Sequence, residues 1–249
     1  MKISVITVCL NSEKTIAHTI ESFLAQSHAD KEMRILDGGS TDRTLEIIRS
    51  FREPAIHILS EADRGIYDAM NKGLALFEGD AVGFLNSDDV FYNETVLALI
   101  AAGLSDADAV YGDVRFVTDQ IEKRPVRTWR AGPYRRGCFR YGWLPPHPTF
   151  YIRRALAEAV GPFDLSYGLS ADYDYMLRAI EVQAPTVRYL PHILVDFMHG
   201  GSTTQNPLRY VTGNLHCLRS RRRHLRAPVV DLALFLKPLR KAHQFRWIR

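Results

Sequence analysis

Cysteine is scarce in this 249-residue chain: there are three, Cys9, Cys138 and Cys217. They are far apart, odd in number and show no Cys-x-x-Cys spacing, which argues against a disulfide framework or a zinc site and for the reduced thiols of a cytoplasmic protein. Long apolar runs are missing too. No stretch reaches the ~18 residues that a membrane span needs. Met1-Lys2 leads straight into the strand-like Ile3-Ser4-Val5-Ile6-Thr7-Val8 with no basic-then-apolar leader, so no signal peptide is expected. Gly-x-Gly-x-x-Gly is absent, and no Gly-Lys-Ser/Thr follows a glycine-rich turn, which weakens readings as a dinucleotide oxidoreductase or a P-loop ATPase. Internal repeats and low-complexity segments are absent as well.

Charge is unevenly spread. The chain carries a net +4, but Arg219 to Arg249 holds ten Lys/Arg against Asp231 alone, a local +9, which leaves residues 1–218 at −5. A mildly acidic body with a basic, aromatic-ended tail fits surface docking better than nucleic-acid binding. Within the tail, Pro228 to Leu236 is nearly all apolar. It is flanked by Arg221-Arg222-Arg223 and by Lys237, Arg240, Lys241 and Phe245-Arg246-Trp247-Ile248-Arg249. Too short to span, this segment suits the headgroup region of an anionic membrane, or packing against the folded body or a partner chain.

Short apolar runs alternate with helix-period segments over the first hundred residues, the pattern of βαβ units and a mainly parallel central sheet flanked by helices. Strands are expected at Ile3–Val8, Met33–Leu36, Ile56–Leu59, Ala81–Leu85 and Val110–Val114. Helices follow Asn11-Ser12 and Asp42, and another covers Tyr67–Phe77. Between Gln120 and Pro148 the pattern gives way to Arg, Gly, Pro and aromatics, which reads as an irregular lid or acceptor wall. A helix over Asp172–Ile180 and strands at Val187–Leu190 and Ile193–Phe197 follow. The expected organisation is a nucleotide-binding half (1–117), an acceptor-binding half (118–218) and the basic helical tail (219–249).

The most informative segment is Phe84-Leu85-Asn86-Ser87-Asp88-Asp89, two adjacent carboxylates at the end of a buried-strand pattern. In open α/β sheets ligands bind beyond the carboxyl ends of the strands. Acids facing a nucleotide diphosphate there would repel it by several kcal/mol, since unit charges ~4 Å apart interact by ~4 kcal/mol at an effective dielectric of ~20. A divalent cation reverses that sign, and all-oxygen ligands suit Mg²⁺ or Mn²⁺. The competing reading is an acidic turn before a helix that starts near Asn93. Asp37-Gly38-Gly39-Ser40, after the second strand, can likewise bind a base or ribose, or simply cap a helix.

Four segments appear together: Ser4-Val5-Ile6-Thr7-Val8-Cys9-Leu10-Asn11, Asp37-Gly38-Gly39-Ser40-Thr41-Asp42, Asp63-Arg64-Gly65-Ile66-Tyr67-Asp68-Ala69-Met70-Asn71-Lys72-Gly73 and Asn86-Ser87-Asp88-Asp89. In order and spacing they resemble the family 2 glycosyltransferases, which have the GT-A fold and use nucleotide-diphosphate sugars. The resemblance covers about residues 1–205, more loosely in the second half. It implies that Thr7, Asn11 and Asp37 meet the base and ribose. Asp63, Asp68, Asn71 and Lys72 would line the nucleotide or sugar side, Asp88 would lie near the ribose, and Asp89 would hold the metal. Asn86 departs from a strict Asp-x-Asp, which leaves the number of metal-contacting carboxylates open. Leu169-Ser170-Ala171-Asp172-Tyr173-Asp174 resembles the family's Glu-Asp-x-Asp segment, with Ala171 replacing Glu. That implies Asp172 as the base for an acceptor hydroxyl, where the residues alone favour a helix cap. Met198-His199-Gly200-Gly201-Ser202-Thr203 resembles a loop whose His199 approaches the metal or diphosphate, and His147 and Trp143 fall on the acceptor side.

The implied activity is a metal-dependent, inverting transfer of sugar to a hydroxyl of a carbohydrate or lipid-linked glycan, in cell-surface polysaccharide or glycolipid synthesis. Its expected location is cytoplasmic or peripheral on the inner membrane face. The rival readings are a sugar-1-phosphate nucleotidyltransferase and a non-catalytic nucleotide-sugar-binding module. Cys9-Leu10-Asn11-Ser12 stands where the first would need a glycine-rich loop. The retained Asp89 and Asp172 speak against the second, and Ala171 favours it.

Overall fold

The computed structural model describes residues 1–198 and 207–225, with 207–210 described by backbone only. The first four strands are β1 (Ile3–Cys9), β2 (Lys31–Asp37), β3 (Ile56–Ser60) and β4 (Ala81–Phe84), connected through helices α1 (Ile16–Leu24), α2 (Thr44–Ser50) and α3 (Ile66–Leu76). They pair in parallel in the order β3-β2-β1-β4. β1 is buried along its whole length, which is why it reads as a continuous apolar run. Its side chains alternate between two layers: Ile6 and Val8 join Leu36, Met70 and Phe84 on the α3 side, and Val5 joins Ile16, Phe23 and Ile35 on the α1 side. Gly73 lets α3 lie close on the sheet, since a Cβ there would sit 2.6 Å from Ile6.

The chain runs outward from β1 to β3 and then returns to β4 on the other side of β1. The strand order therefore reverses between β1 and β4, and the crevice beyond their carboxyl ends is the ligand position of an open α/β sheet.

Beyond β4 the sheet becomes mixed. The remaining elements are β5 (Val90–Phe91), α4 (Val96–Gly103), β6 (Ala109–Val117), β7 (Pro125–Trp129), β8 (Tyr151–Arg153), α5 (Arg154–Val160), α6 (Ala171–Leu177), β9 (Val187–Met198) and α7 (Pro207–His224). β8 lies antiparallel between β4 and β6, β9 runs parallel to β6, and β5 and β7 pair antiparallel with β9 and β6. The expected mainly parallel arrangement thus describes the first four strands, while antiparallel pairs enter the sheet in the second half, where β6 and β7 form a hairpin and α5 and α6 connect β8 to β9. Gly83 accommodates β8: a Cβ there would fall 2.3 Å from the Tyr151 ring. β7 lies inside the segment expected to be irregular. The two strands expected over 187–197 are one strand, with register shifts against β6.

The boundary expected after residue 218 falls inside α7, which docks on α6. Ser220 Oγ donates to Asp174 at 2.7 Å, His224 Nε2 lies 3.2 Å from the same carboxylate, and buried Arg221 reaches the Tyr173 hydroxyl at 3.1 Å. Leu225 packs on the core. The body therefore extends to at least Leu225, and the remainder of the expected tail lies outside the described residues, as does His199. Among the described residues no helix is long and apolar enough to cross a membrane.

Candidate active site

The loops after β1, β2 and β4 are tied to one another across the crevice. Asn11 adopts a left-handed backbone (φ 50°), its N–H donates to Ser40 Oγ at 2.8 Å, and its Oδ1 accepts the Thr41 N–H at 2.9 Å. The Ser12 and Ser87 hydroxyls meet at 2.9 Å, which joins the β1 and β4 ends. Asp37 organises the β2 end: it accepts from Ser60 Oγ at 2.7 Å, from the Gly39 and Ser40 N–H groups and from the Ser40 hydroxyl. Burial raises its pKa, but these donors outweigh it and hold the carboxyl below the usual range. Its acceptor capacity is largely used inside the protein. Burial, and then the Asp37 charge, push the Cys9 thiol up to about 12, so it stays protonated and unreactive.

Asp63 sits directly over Gly38, where a Cβ would come within 2.5 Å of its carboxylate, and accepts the Gly65 N–H at 2.7 Å. Asp37, Asp63, Glu61 and Lys72 line one cleft with Leu36, Leu59 and Ala69. Lys72 is anchored there by Glu61 at 2.7 Å and by the Ala62 carbonyl at 2.9 Å. Thr7 is buried on β1, and its hydroxyl has no partner among the described residues. Asp68 closes back on Arg64 at 2.8 Å, a bond that holds its carboxyl low.

Asn71 points elsewhere. Its amide grips the Phe163 backbone at both ends, Nδ2 to the carbonyl at 3.0 Å and Oδ1 from the N–H at 2.7 Å, so it joins α3 to the second half and does not open to the cleft.

Asp88 and Asp89 follow β4. Asp89 is fully buried, accepts the Met198 N–H at 3.0 Å and the Asn86 amide at 2.9 Å, and its own carbonyl accepts from Thr19 Oγ1 at 2.8 Å. Burial pushes the Asp88 carboxyl up. Burial and the Asp88 charge push Asp89 well above the usual carboxylate range. Among the described residues no Lys, Arg or His forms an ion pair with either, and no cluster of three or more metal-ligating side chains occurs. These two adjacent carboxylates are the residues that could hold a Mg²⁺ or Mn²⁺ ion, which would take its other ligands from phosphate and water.

On the other side of the crevice, Asp172 opens α6, its Oδ1 accepting the Tyr173 N–H at 2.7 Å. His147 stacks on Phe84 at 5.0 Å and meets Phe163 edge-on at 6.0 Å. Its Nε2 is buried with no partner among the described residues. Burial pushes this imidazole down, with partial compensation from the Asp172 charge, so the ring is neutral and near that carboxylate. Trp143 packs with Tyr111, Tyr134 and Phe139 and donates Nε1–H to the Ala131 carbonyl at 2.9 Å.

Two groups escaped sequence reasoning. Asp113, inside an apolar strand, accepts the Ala131 N–H at 3.0 Å and the Tyr189 hydroxyl at 2.7 Å, and so supports the Trp143 wall. Asp196, buried on β9, holds Arg115 by two 2.7 Å bonds near Asp89. An acid within a buried-strand pattern was the available signal for both.

Comparison with known proteins gives the family. The chain is 32% identical over 198 residues to a PGL/p-HBAD biosynthesis glycosyltransferase of Mycobacterium bovis, covering 77% of this chain and 74% of that one. It is 30% identical over 221 residues to an uncharacterized glycosyltransferase of Mycobacterium tuberculosis, covering 86% and 81%. Among solved structures, S. aureus TarS 1–349 in complex with UDP-GlcNAc superposes with a TM-score of 0.70 at 21% identity, over 95% of this chain and 72% of that one. The mannosyltransferase PcManGT of Pyrobaculum calidifontis, in complex with GDP-Man and Mn²⁺, gives 0.65 at 18% identity over 98% and 69%. The chain spans 37% of a longer TarS chain, and at these identities the likeness shows the fold alone, which is GT-A. With the glycosyl transferase family 2 profile matching residues 4–161, the chain belongs to that family and is a transferase enzyme.

Proposed function

We propose that the protein is a divalent-metal-dependent, inverting glycosyltransferase that moves a sugar from a nucleoside-diphosphate donor to a hydroxyl of a carbohydrate or lipid-linked glycan. The observation that carries this reading is the Asp88–Asp89 pair: two carboxylates at the strand-order reversal, pushed up by burial and, among the described residues, without a Lys, Arg or His partner. We assign the donor's nucleoside end to Asp37, Asp63 and Lys72 at the β2 end, with the Thr7 hydroxyl, unpartnered among the described residues, beneath the β1 end. A cation bound by Asp89 would supply charge stabilisation to the departing diphosphate. Asp172 takes the proton of the attacking hydroxyl, and inversion follows from that hydroxyl approaching the anomeric carbon opposite the diphosphate. Neutral His147 and the Trp143 wall bound the acceptor side. The relatives' UDP-GlcNAc and GDP-Man complexes support a nucleotide-sugar donor, and the Mn²⁺ in one of them supports the metal.

The test is thermal shift and calorimetry with UDP-GlcNAc, UDP-glucose and GDP-mannose, with and without Mn²⁺. One donor should stabilise the protein only with metal present, because ligands that bind the folded state raise apparent stability. Asp89→Ala should abolish the metal-dependent part while keeping a cooperative melt. Unchanged affinity in that variant would remove Asp89 from the metal site.

A further inference from the structure

Tyr67 has no part in the reading above, yet it bridges the two halves at the base. Its hydroxyl donates to the Leu169 carbonyl at 3.3 Å, in the turn that leads into α6. The same phenol lies against both the backbone N–H and the carboxylate of Asp172. Its ring rests on Phe163 at 5.4 Å, the residue whose backbone is clamped by Asn71 one helical turn along α3. α3 therefore grips the second half at two points four residues apart, one of them at the start of α6.

That start is poorly held by its own residues. Ser170, in the N-cap position, makes no capping hydrogen bond and donates its hydroxyl to the Gly213 carbonyl of α7 at 3.1 Å. Asp172 is left to accept the neighbouring Tyr173 N–H, so the contacts that aim its carboxylate must come from outside the helix. Tyr67 is half-buried and supplies them. Burial, and then the negative charge of Asp172, push its phenol well above the usual value, so it remains a hydrogen-bonding O–H throughout the working pH range.

We propose that Tyr67 is a positioning residue: by holding the Leu169–Asp172 turn from α3, it orients the Asp172 carboxylate toward the acceptor hydroxyl. This rests on Asp172 being the base. Tyr67→Phe keeps the ring packing and removes the hydroxyl alone. Nucleoside diphosphate release should be followed for the donor that Mn²⁺-dependent thermal shift selects, with water and a panel of octyl glycosides as acceptors. Temperatures should be chosen where circular dichroism shows every variant folded. The expected result is a fall in kcat of about 10- to 100-fold, as for a misplaced catalytic group, with donor KM and calorimetric donor affinity unchanged. In an Asp172→Asn background, Tyr67→Phe should cost nothing further, because a residue that acts only through Asp172 has nothing left to position. Wild-type kcat in Tyr67→Phe, or losses that multiply in the double variant, would overturn the proposal while leaving Asp172 as the base. Full activity in Asp172→Asn would overturn the reading of the base itself, and this inference with it.

Discussion

Asp172 and Asp174 lie two positions apart on one helix and therefore face different ways. Asp174 is buried and saturated: Arg178 donates to it at 2.8 Å, Ser220 at 2.7 Å, and His224 lies at 3.2 Å. Removing it leaves Arg178 charged and without one of its three hydrogen bonds, the other two going to the Val160 and Pro162 carbonyls, so Asp174→Ala should cost about 3 kcal/mol or more. That would appear as a lower urea midpoint. Asp172→Asn should melt like the wild type and bind donor normally, yet transfer sugar ~100-fold or more slowly. If instead Asp174→Asn were folded and dead while Asp172→Asn stayed active, the base would be misassigned by two residues. At this scale the sequence distinguishes the two acids only through the family resemblance, since an acid opening a helix is explained by capping alone. Asn71 was not legible as a clamp, because its partner, the Phe163 backbone, is ninety-two residues away and backbone groups carry no sequence signal.

The acids that follow β4 and the buried acid at the start of β2 have opposite character. Beyond the β4 carboxyl end, Asp88 and Asp89 are pushed up, and among the described residues no Lys, Arg or His pairs with them. At the amino ends, buried Glu32 on β2 is surrounded by donors: Lys2 at 2.8 Å, Arg34 at 3.2 Å, Ser4 Oγ at 2.6 Å and the Glu78 N–H at 2.7 Å. Burial works against its ionised form, but these partners prevail and bring its pKa down to about 2. The folded-state value is depressed, so the stabilisation is present above the unfolded carboxyl value and is lost as pH falls through the folded one. Urea melts between pH 6 and pH 2 should therefore show a loss of stability that begins below about 4.5 and that is much reduced in Glu32→Gln, which starts from a lower plateau. An unchanged acid slope in that variant would place the acid sensitivity elsewhere. The first four strands and their helices were readable because β1, β2 and β4 are largely buried apolar runs, β3 keeps the apolar residues Ile56, Ile58 and Leu59, and each is followed by its own turn chemistry. β7 and β8 were not: they are five and three residues long, and they exist because β4 and β6 have edges to pair with.

On the scale of the whole molecule, the question is where the catalytic body stops. Composition places the change at residue 219, where basic residues begin to accumulate, but charge density does not report docking. Arg221 is among the largest fully buried side chains, and its place against Tyr173, with Ser220 and His224 on Asp174, makes the end of α7 part of the second half. Two truncations separate the roles. Ending the chain at Ser220 removes Arg221, His224 and Leu225, exposes the α6 contacts and should lower the melting temperature or cause aggregation. Ending it at Leu225 keeps every one of those contacts and deletes residues 226–249, with six Lys/Arg against Asp231. That protein should melt as cooperatively as the full chain. It should also lose co-sedimentation with vesicles rich in anionic lipid, an interaction worth ~1 kcal/mol for each basic residue near the surface and weakened by salt. Equal vesicle binding by the full chain and the Leu225 truncation would exclude the basic tail as a membrane anchor, and a lowered or broadened melt of that truncation would make residues 226–249 part of the folded body.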